Sequence, residues 1–109
     1  MWIMVREFEI YAGDTLIGTT SFELGDPPMG VACGEMTPTP AYSIEYSKAP
    51  DTLNARLAGV PIPSVGGMYI EDYLEDLGEI AVTILGIDHE LYEELFLEHV
   101  AAYEEQFKS

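Results

Sequence analysis

Glu79-Ile80-Ala81-Val82-Thr83-Ile84-Leu85-Gly86-Ile87-Asp88-His89-Glu90-Leu91-Tyr92 places two different hydrophobic periods side by side. Its first half is β-branched and almost continuously apolar, as a strand in the interior of a sheet must be when both its faces are covered. Gly86 lets the chain turn. From Asp88 onward the apolar positions take helical spacing: Leu91, Tyr92, Leu95, Phe96, His99, Ala102, Tyr103 and Phe107 share one side, with Val100 at its margin. Glu90, Glu93, Glu94, Glu98, Glu104 and Glu105 occupy the other side. Asp88 suits the N-cap, and Ile87 is placed to staple onto Tyr92. Neither Gly nor Pro interrupts residues 88–107, so the spacing predicts one long amphipathic helix.

Working back from this stretch, the rest of the chain reads mainly as strands. Residues 4–11 alternate, with Met4, Phe8 and Ile10 on one face and Val5, Glu7, Glu9 and Tyr11 on the other. Ala12-Gly13-Asp14-Thr15 is a turn signal. Residues 16–24 alternate again, which predicts Leu16, Phe22 and Leu24 inward and Ile17, Thr19 and Glu23 outward, closing a hairpin. Gly25-Asp26-Pro27-Pro28-Met29-Gly30 reads as a rigid turn, because proline fixes φ and glycine permits positive φ. Residues 31–36 suit a short strand. Thr39-Pro40 suits the start of a short helix or irregular turn over residues 41–48, with Tyr42 and Tyr46 on one side. Residues 51–59 read as a further helical turn stopped by Gly59, and residues 60–67 as an extended connector. Residues 68–72 read as a strand, followed by a turn before residue 79. The fold class expected is therefore α+β in one domain: an antiparallel sheet of four to five strands with a long C-terminal helix packed on one face.

Four basic side chains stand against twenty acidic ones among 109 residues, a formal net charge of −16. Nucleic-acid phosphates and anionic bilayers repel such a surface, which argues against both as partners. A basic protein would be steered toward it. With 48% hydrophobic residues the chain has the means to build a core, so charge alone does not imply disorder. No apolar run is long enough for a membrane span, and the first residues lack a basic region ahead of an apolar one. Together with a single cysteine, Cys33, these features suggest a cytoplasmic protein without an internal disulfide.

The chemistry-bearing residue types do not assemble into a catalytic pattern. The glycine-bounded loop at residues 25–30 has no following Lys-Ser/Thr, and Asp26 would repel a phosphate. Cys33 has no electropositive neighbourhood to hold a thiolate, so it reads as a buried structural cysteine. The acids of residues 71–79 lack the alternation and central glycine of a calcium loop. A glycosidase-like carboxylate pair would need a sugar pocket that so short a chain has little room to build. His89 and His99 are too far apart for zinc-protease spacing; His99 falls within the apolar stripe and reads as a hydrogen-bonded core residue. No enzymatic activity, metal or cofactor is expected.

What remains is a contact surface. Glu71, Asp72, Glu75 and Asp76 form one acidic group; Glu90, Glu93, Glu94, Glu98 and Glu104 form a second on the outer face of the helix. Like charges at i,i+4, such as Glu90/Glu94 and Glu94/Glu98, each cost about 0.2–0.5 kcal/mol, so helix stability does not account for them. Leu97 stands amid these acids as an apolar anchor. The sequence thus suggests an acidic inhibitor that occludes a basic partner, either an immunity protein against a toxin such as a nuclease or a nucleic-acid mimic such as an anti-CRISPR protein. The competing reading is a small structural module whose acidity serves only solubility.

Overall fold

The structure is a computed structural model and describes residues 6–106. Its strands are β1 (Phe8–Ala12), β2 (Thr15–Thr20), β3 (Leu24–Asp26), β4 (Val31–Glu35), β5 (Thr37–Pro38), β6 (Leu53–Leu57), β7 (Val60–Pro61), β8 (Gly67–Tyr73) and β9 (Glu79–Leu85). Its helices are α1 (Leu74–Leu77), α2 (His89–Leu95) and α3 (Leu97–Gln106), with short 3-10 turns at Pro27–Met29, Ile44–Lys48 and Pro50–Thr52. The fold is α+β with entirely antiparallel pairing, and α3 contacts β3.

The strands form two sheets where the sequence suggested one. Sheet A has the order β5-β2-β1-β6-β7 and sheet B the order β3-β4-β9-β8. The chain passes from one to the other at Phe22, whose φ of 46° is left-handed. A bulky residue pays roughly 1–2 kcal/mol there. Three contacts hold it. Its amide donates to Thr20 Oγ1 at 3.2 Å, its carbonyl lies 2.6 Å from His99 Nε2, and its ring packs 5.1 Å from Phe8 and 6.0 Å from Phe96. No local sequence signal marks a phenylalanine for this conformation.

The β1–β2 hairpin forms across the expected turn, with Gly13 at a φ of 61°. Its register shifts once: Ile10 faces Gly18 whereas Tyr11 faces Leu16, leaving Ile17 as the extra residue of a bulge. The bulge turns Ile17 into the core and leaves Leu16 exposed. That reverses the inside–outside assignment expected for these two residues, and Leu24, beyond the corner, is also exposed, whereas Phe22 is buried and Glu23 exposed as expected. Residues 4 and 5, assigned to the first strand from sequence, lie outside the described residues.

Residues 51–59, expected as a helical turn, contain β6 instead. Ala58 and Gly59 both have positive φ (52° and 82°), which makes the two-residue type I′ turn that joins β6 to β7. Pairing with β1 on the other side then outweighs any local helical preference. Residues 68–85 follow the expectation more closely. Gly67–Tyr73 is a strand, one helical turn ends at Gly78, and β9 lies between β4 and β8.

The C-terminal segment is two helices, not one. Phe96 leaves helical geometry, and α3 begins with the amides of His99 and Val100 donating to its carbonyl at 2.9 and 3.1 Å. Arg6 donates to the carbonyls of Glu94 and Leu95 at 2.9 and 3.1 Å, placing a cation at the negative end of α2. The Phe96 ring is fully buried among Phe8, Phe22 and Tyr92. The break thus occurs where long-range partners claim the backbone and the ring. One continuous core joins the inner faces of both sheets to Tyr92, Leu95 and Phe96.

Candidate functional site

Sheet B presents its outer face to solvent. Pairing places Leu24 beside Cys33, Cys33 beside Thr83 and Thr83 beside Tyr69, so one row crosses all four strands. In the next row Glu35 and Glu71 flank Ala81. The row Leu24-Cys33-Thr83-Tyr69 is apolar at one end and aromatic at the other, with Leu24 62% and Tyr69 38% exposed. Glu23, Glu35, Glu71 and Glu79 stand around it and line a shallow groove of about 290 Å³ over Cys33, Ala81 and Thr83.

Several of these acids are held in place. Glu23 accepts from the Glu35 amide at 2.8 Å and from Ser21 Oγ at 3.1 Å. Gly34 leaves room for this, since a Cβ there would collide with the Glu23 carboxylate and Thr20 Oγ1. Glu71 accepts from the Tyr73 hydroxyl at 2.5 Å, a bond that holds the phenol above its usual pKa. None of the four forms an ion pair among the described residues. Their field is felt at Cys33: partial burial raises the thiol pKa first, and the charges of Glu23 and Glu71 raise it further. The thiol is therefore held toward its neutral form, but Cys33 is only half-buried, on the outer face of sheet B, and not the buried cysteine expected from the sequence.

The sequence-predicted residues divide between two places. Glu71 lies on this face, and Glu75 and Asp76 follow on α1, the exposed link between β8 and β9 that also bears Leu77. Asp72 is the exception: one oxygen accepts from the Tyr42 hydroxyl at 2.6 Å and the other from the Leu74 amide at 3.0 Å. Burial and the Asp72 carboxylate push the Tyr42 phenol up. Asp72 thus bolts the β8 edge to residues 42–48.

Glu90, Glu93, Glu94, Leu97, Glu98 and Glu104 lie on the helix pair. The helices sit against β3, the opposite edge of sheet B from β8, so the two acidic groups do not form one patch by adjacency. The break at Phe96 also divides the second group. Glu94 and Glu98 no longer share a helix, and Leu97, 66% exposed, begins α3 rather than standing within a continuous acidic face. Glu93 pairs with His89 at 3.1 Å, while Glu93 and Glu104 line one cleft with Pro27 and Pro28. His99 is half-buried, stacked 5.2 Å from Phe96 and bonded to the Phe22 carbonyl.

Sequence reasoning missed Glu23 and Glu35 as neighbours of Glu71, and grouped Glu79 with it only as part of one acidic run. Alternation along residues 31–35 and 79–85 marks Glu35 and Glu79 as outward, but only strand pairing sets them beside Glu71. Among the described residues no group of His, Cys, Asp and Glu is arranged to hold a metal, and no helix is long and apolar enough to cross a membrane. Comparison with family models, curated proteins and solved structures finds no match.

Proposed function

We propose that this chain is an acidic binding protein that occludes a basic protein partner, as an immunity protein does with a nuclease toxin or a nucleic-acid mimic such as an anti-CRISPR protein does with its target. The observation that carries the reading is the open face of sheet B. Four carboxylates, two of them (Glu23 and Glu71) fixed by hydrogen bonds, surround a row whose ends, Leu24 and Tyr69, are exposed, and no basic side chain pairs with them among the described residues. Held apart from cations, these groups repel one another. A partner that brings Lys or Arg relieves the repulsion while Leu24 and Tyr69 supply apolar contact.

Size sharpens the proposal. Four strands spaced at about 4.8 Å and some six residues long make a face of roughly 14 by 20 Å. This is about 300 Å², well short of the ~800 Å² per partner of a stable interface. The footprint must extend, and α1 adjoins the face with Glu75, Asp76 and Leu77. The same charge disfavours nucleic acid and anionic membrane as partners.

The test is retention of partners from host extract on immobilised protein at low and high salt. Glu35→Lys with Glu71→Lys should abolish a salt-sensitive complex with a basic protein, while Glu90→Lys with Glu94→Lys and Leu97→Asp should weaken it less. If only the helix substitutions release the partner, the surface moves to the helices. If no substitution matters, the inhibitor reading fails.

A further inference from the structure

The cleft between the helix pair and the Pro27–Met29 turn has a different character from the open sheet face. Pro27, Pro28, Tyr92, Val100 and Tyr103 form its walls, and Glu93 and Glu104 contribute the carboxylates. Its volume is about 190 Å³, below the ~300 Å³ at which small-molecule sites begin. At ~30 Å³ per water it holds the equivalent of about six waters, the room one long side chain needs.

The walls are set before any ligand arrives. Tyr92 is fully buried, its hydroxyl donates to the Val31 carbonyl at 2.8 Å, and burial with nearby acids pushes its phenol up to about 12. The proline turn closes on Gly30, whose left-handed φ of 64° brings it against the Ile87 backbone, where a Cβ would not fit. Binding then has little to order in these two walls, and what it orders is the exposed Glu93 and Glu104 side chains.

We infer that this cleft receives an arginine side chain of the basic partner, an inference that rests on the reading in the preceding subsection. The methylene stem lies against Pro27, Pro28 and Val100, and the guanidinium meets Glu93 and Glu104. Charge complementarity commits the site to a cation. With Tyr92 buried, Pro27, Pro28 and Tyr103 are the flat surfaces left to a side chain, and they favour arginine over lysine, because guanidinium is planar, weakly hydrated and stacks on aromatic faces, whereas ammonium keeps its water. His89, 3.1 Å from Glu93, yields or shares that carboxylate when arginine enters. A second copy of this chain is a poor occupant, since each copy carries −16.

The experiment titrates the isotope-labelled full chain with blocked hexa-arginine, hexalysine and hexacitrulline peptides at about 20 mM salt, where charge attraction is weakly screened. Hexa-arginine should shift the amide signals of Glu93, Val100, Tyr103 and Glu104 first and bind about fivefold or more tightly than hexalysine. Hexacitrulline should not bind. Glu93→Gln with Glu104→Lys, both solvent-facing, should remove that preference while the spectrum shows an intact fold; Val100→Phe should plug the cleft to the same effect. Equal binding of hexa-arginine and hexalysine, with shifts spread over both acidic regions and no response to the double substitution, overturns the arginine site but leaves the acidic-surface reading standing. If neither basic peptide binds, both fall.

Discussion

On the outer face of sheet A, Arg56 lies 3.8 Å over the Tyr11 ring, bonds to Asn54 and the Gly13 carbonyl, and pairs with Asp14 at 3.3 Å. Across strands of the same face Glu9 accepts from the Gly59 amide at 3.0 Å. On the outer face of sheet B, Glu23, Glu35, Glu71 and Glu79 surround Cys33 with no cation paired to them among the described residues. The two faces rest on one core, so the contrast is not one of stability below. One face satisfies its charges internally. The other holds Glu23 and Glu71 by hydrogen bonds but sets no cation against any of its four acids among the described residues, and under the proposed function this difference makes sheet B the place to look for a partner.

The comparison first requires that the two sheets stand or fall together. Phe96→Ala removes the ring that meets Phe8, Phe22 and Tyr92, and should cost about 3–5 kcal/mol in denaturant unfolding. The transition should stay single, with amide protection lost from β1 and β9 alike. Separate transitions would mean that the faces belong to independent units.

Alkaline pH tests the same shared core from another side. The Tyr92 phenol is raised to about 12 and Tyr42 is raised too, both first by burial. The unfolded chain ionises its tyrosines near about pH 10, so between there and about 12 the native state binds more protons than the unfolded one. Stability is then whole below pH ~10 and falls as pH rises through that window. Tyr92→Phe should make the denaturation midpoint less sensitive to pH in this range; an unchanged slope would assign the loss elsewhere.

Smaller effects separate the faces themselves. Arg56→Ala should destabilise by about 1 kcal/mol, chiefly through the lost contact with Tyr11. Glu35→Lys on sheet B should be neutral or stabilise by up to about 0.5 kcal/mol, because it relieves like charges. If both cost the same, the asymmetry is not real. Glu71→Gln should leave stability nearly unchanged yet speed Cys33 alkylation at mildly alkaline pH, since it removes one of the two charges that raise the thiol.

Much of this was legible in the chain. The β-branched run at residues 79–85 and the capped start of α2 follow from local pattern, as do the Gly13 turn and the strand at residues 68–72. What was hidden depends on partners distant in sequence. The Phe22 corner is held by Thr20, Phe8, Phe96 and His99; the helix break is set by Arg6 and the aromatic core. The Ile17 bulge exists only relative to β1. The candidate surface behaves likewise: residues 71–76 were visible as an acidic run, but Asp72 turned out to be a structural bolt, and Glu35 joins Glu71 only through pairing with β9.

Cys33 provides a direct footprint of the face on which the account rests, because it is the one cysteine in the chain and lies in the middle of the groove. The decisive measurement is its alkylation rate, free and in complex with the salt-eluted partner, at low and high salt. The account predicts that the partner slows alkylation at low salt, that high salt restores the free rate, and that Glu35→Lys with Glu71→Lys removes the protection. A complex that forms while Cys33 reacts at its free rate would contradict it.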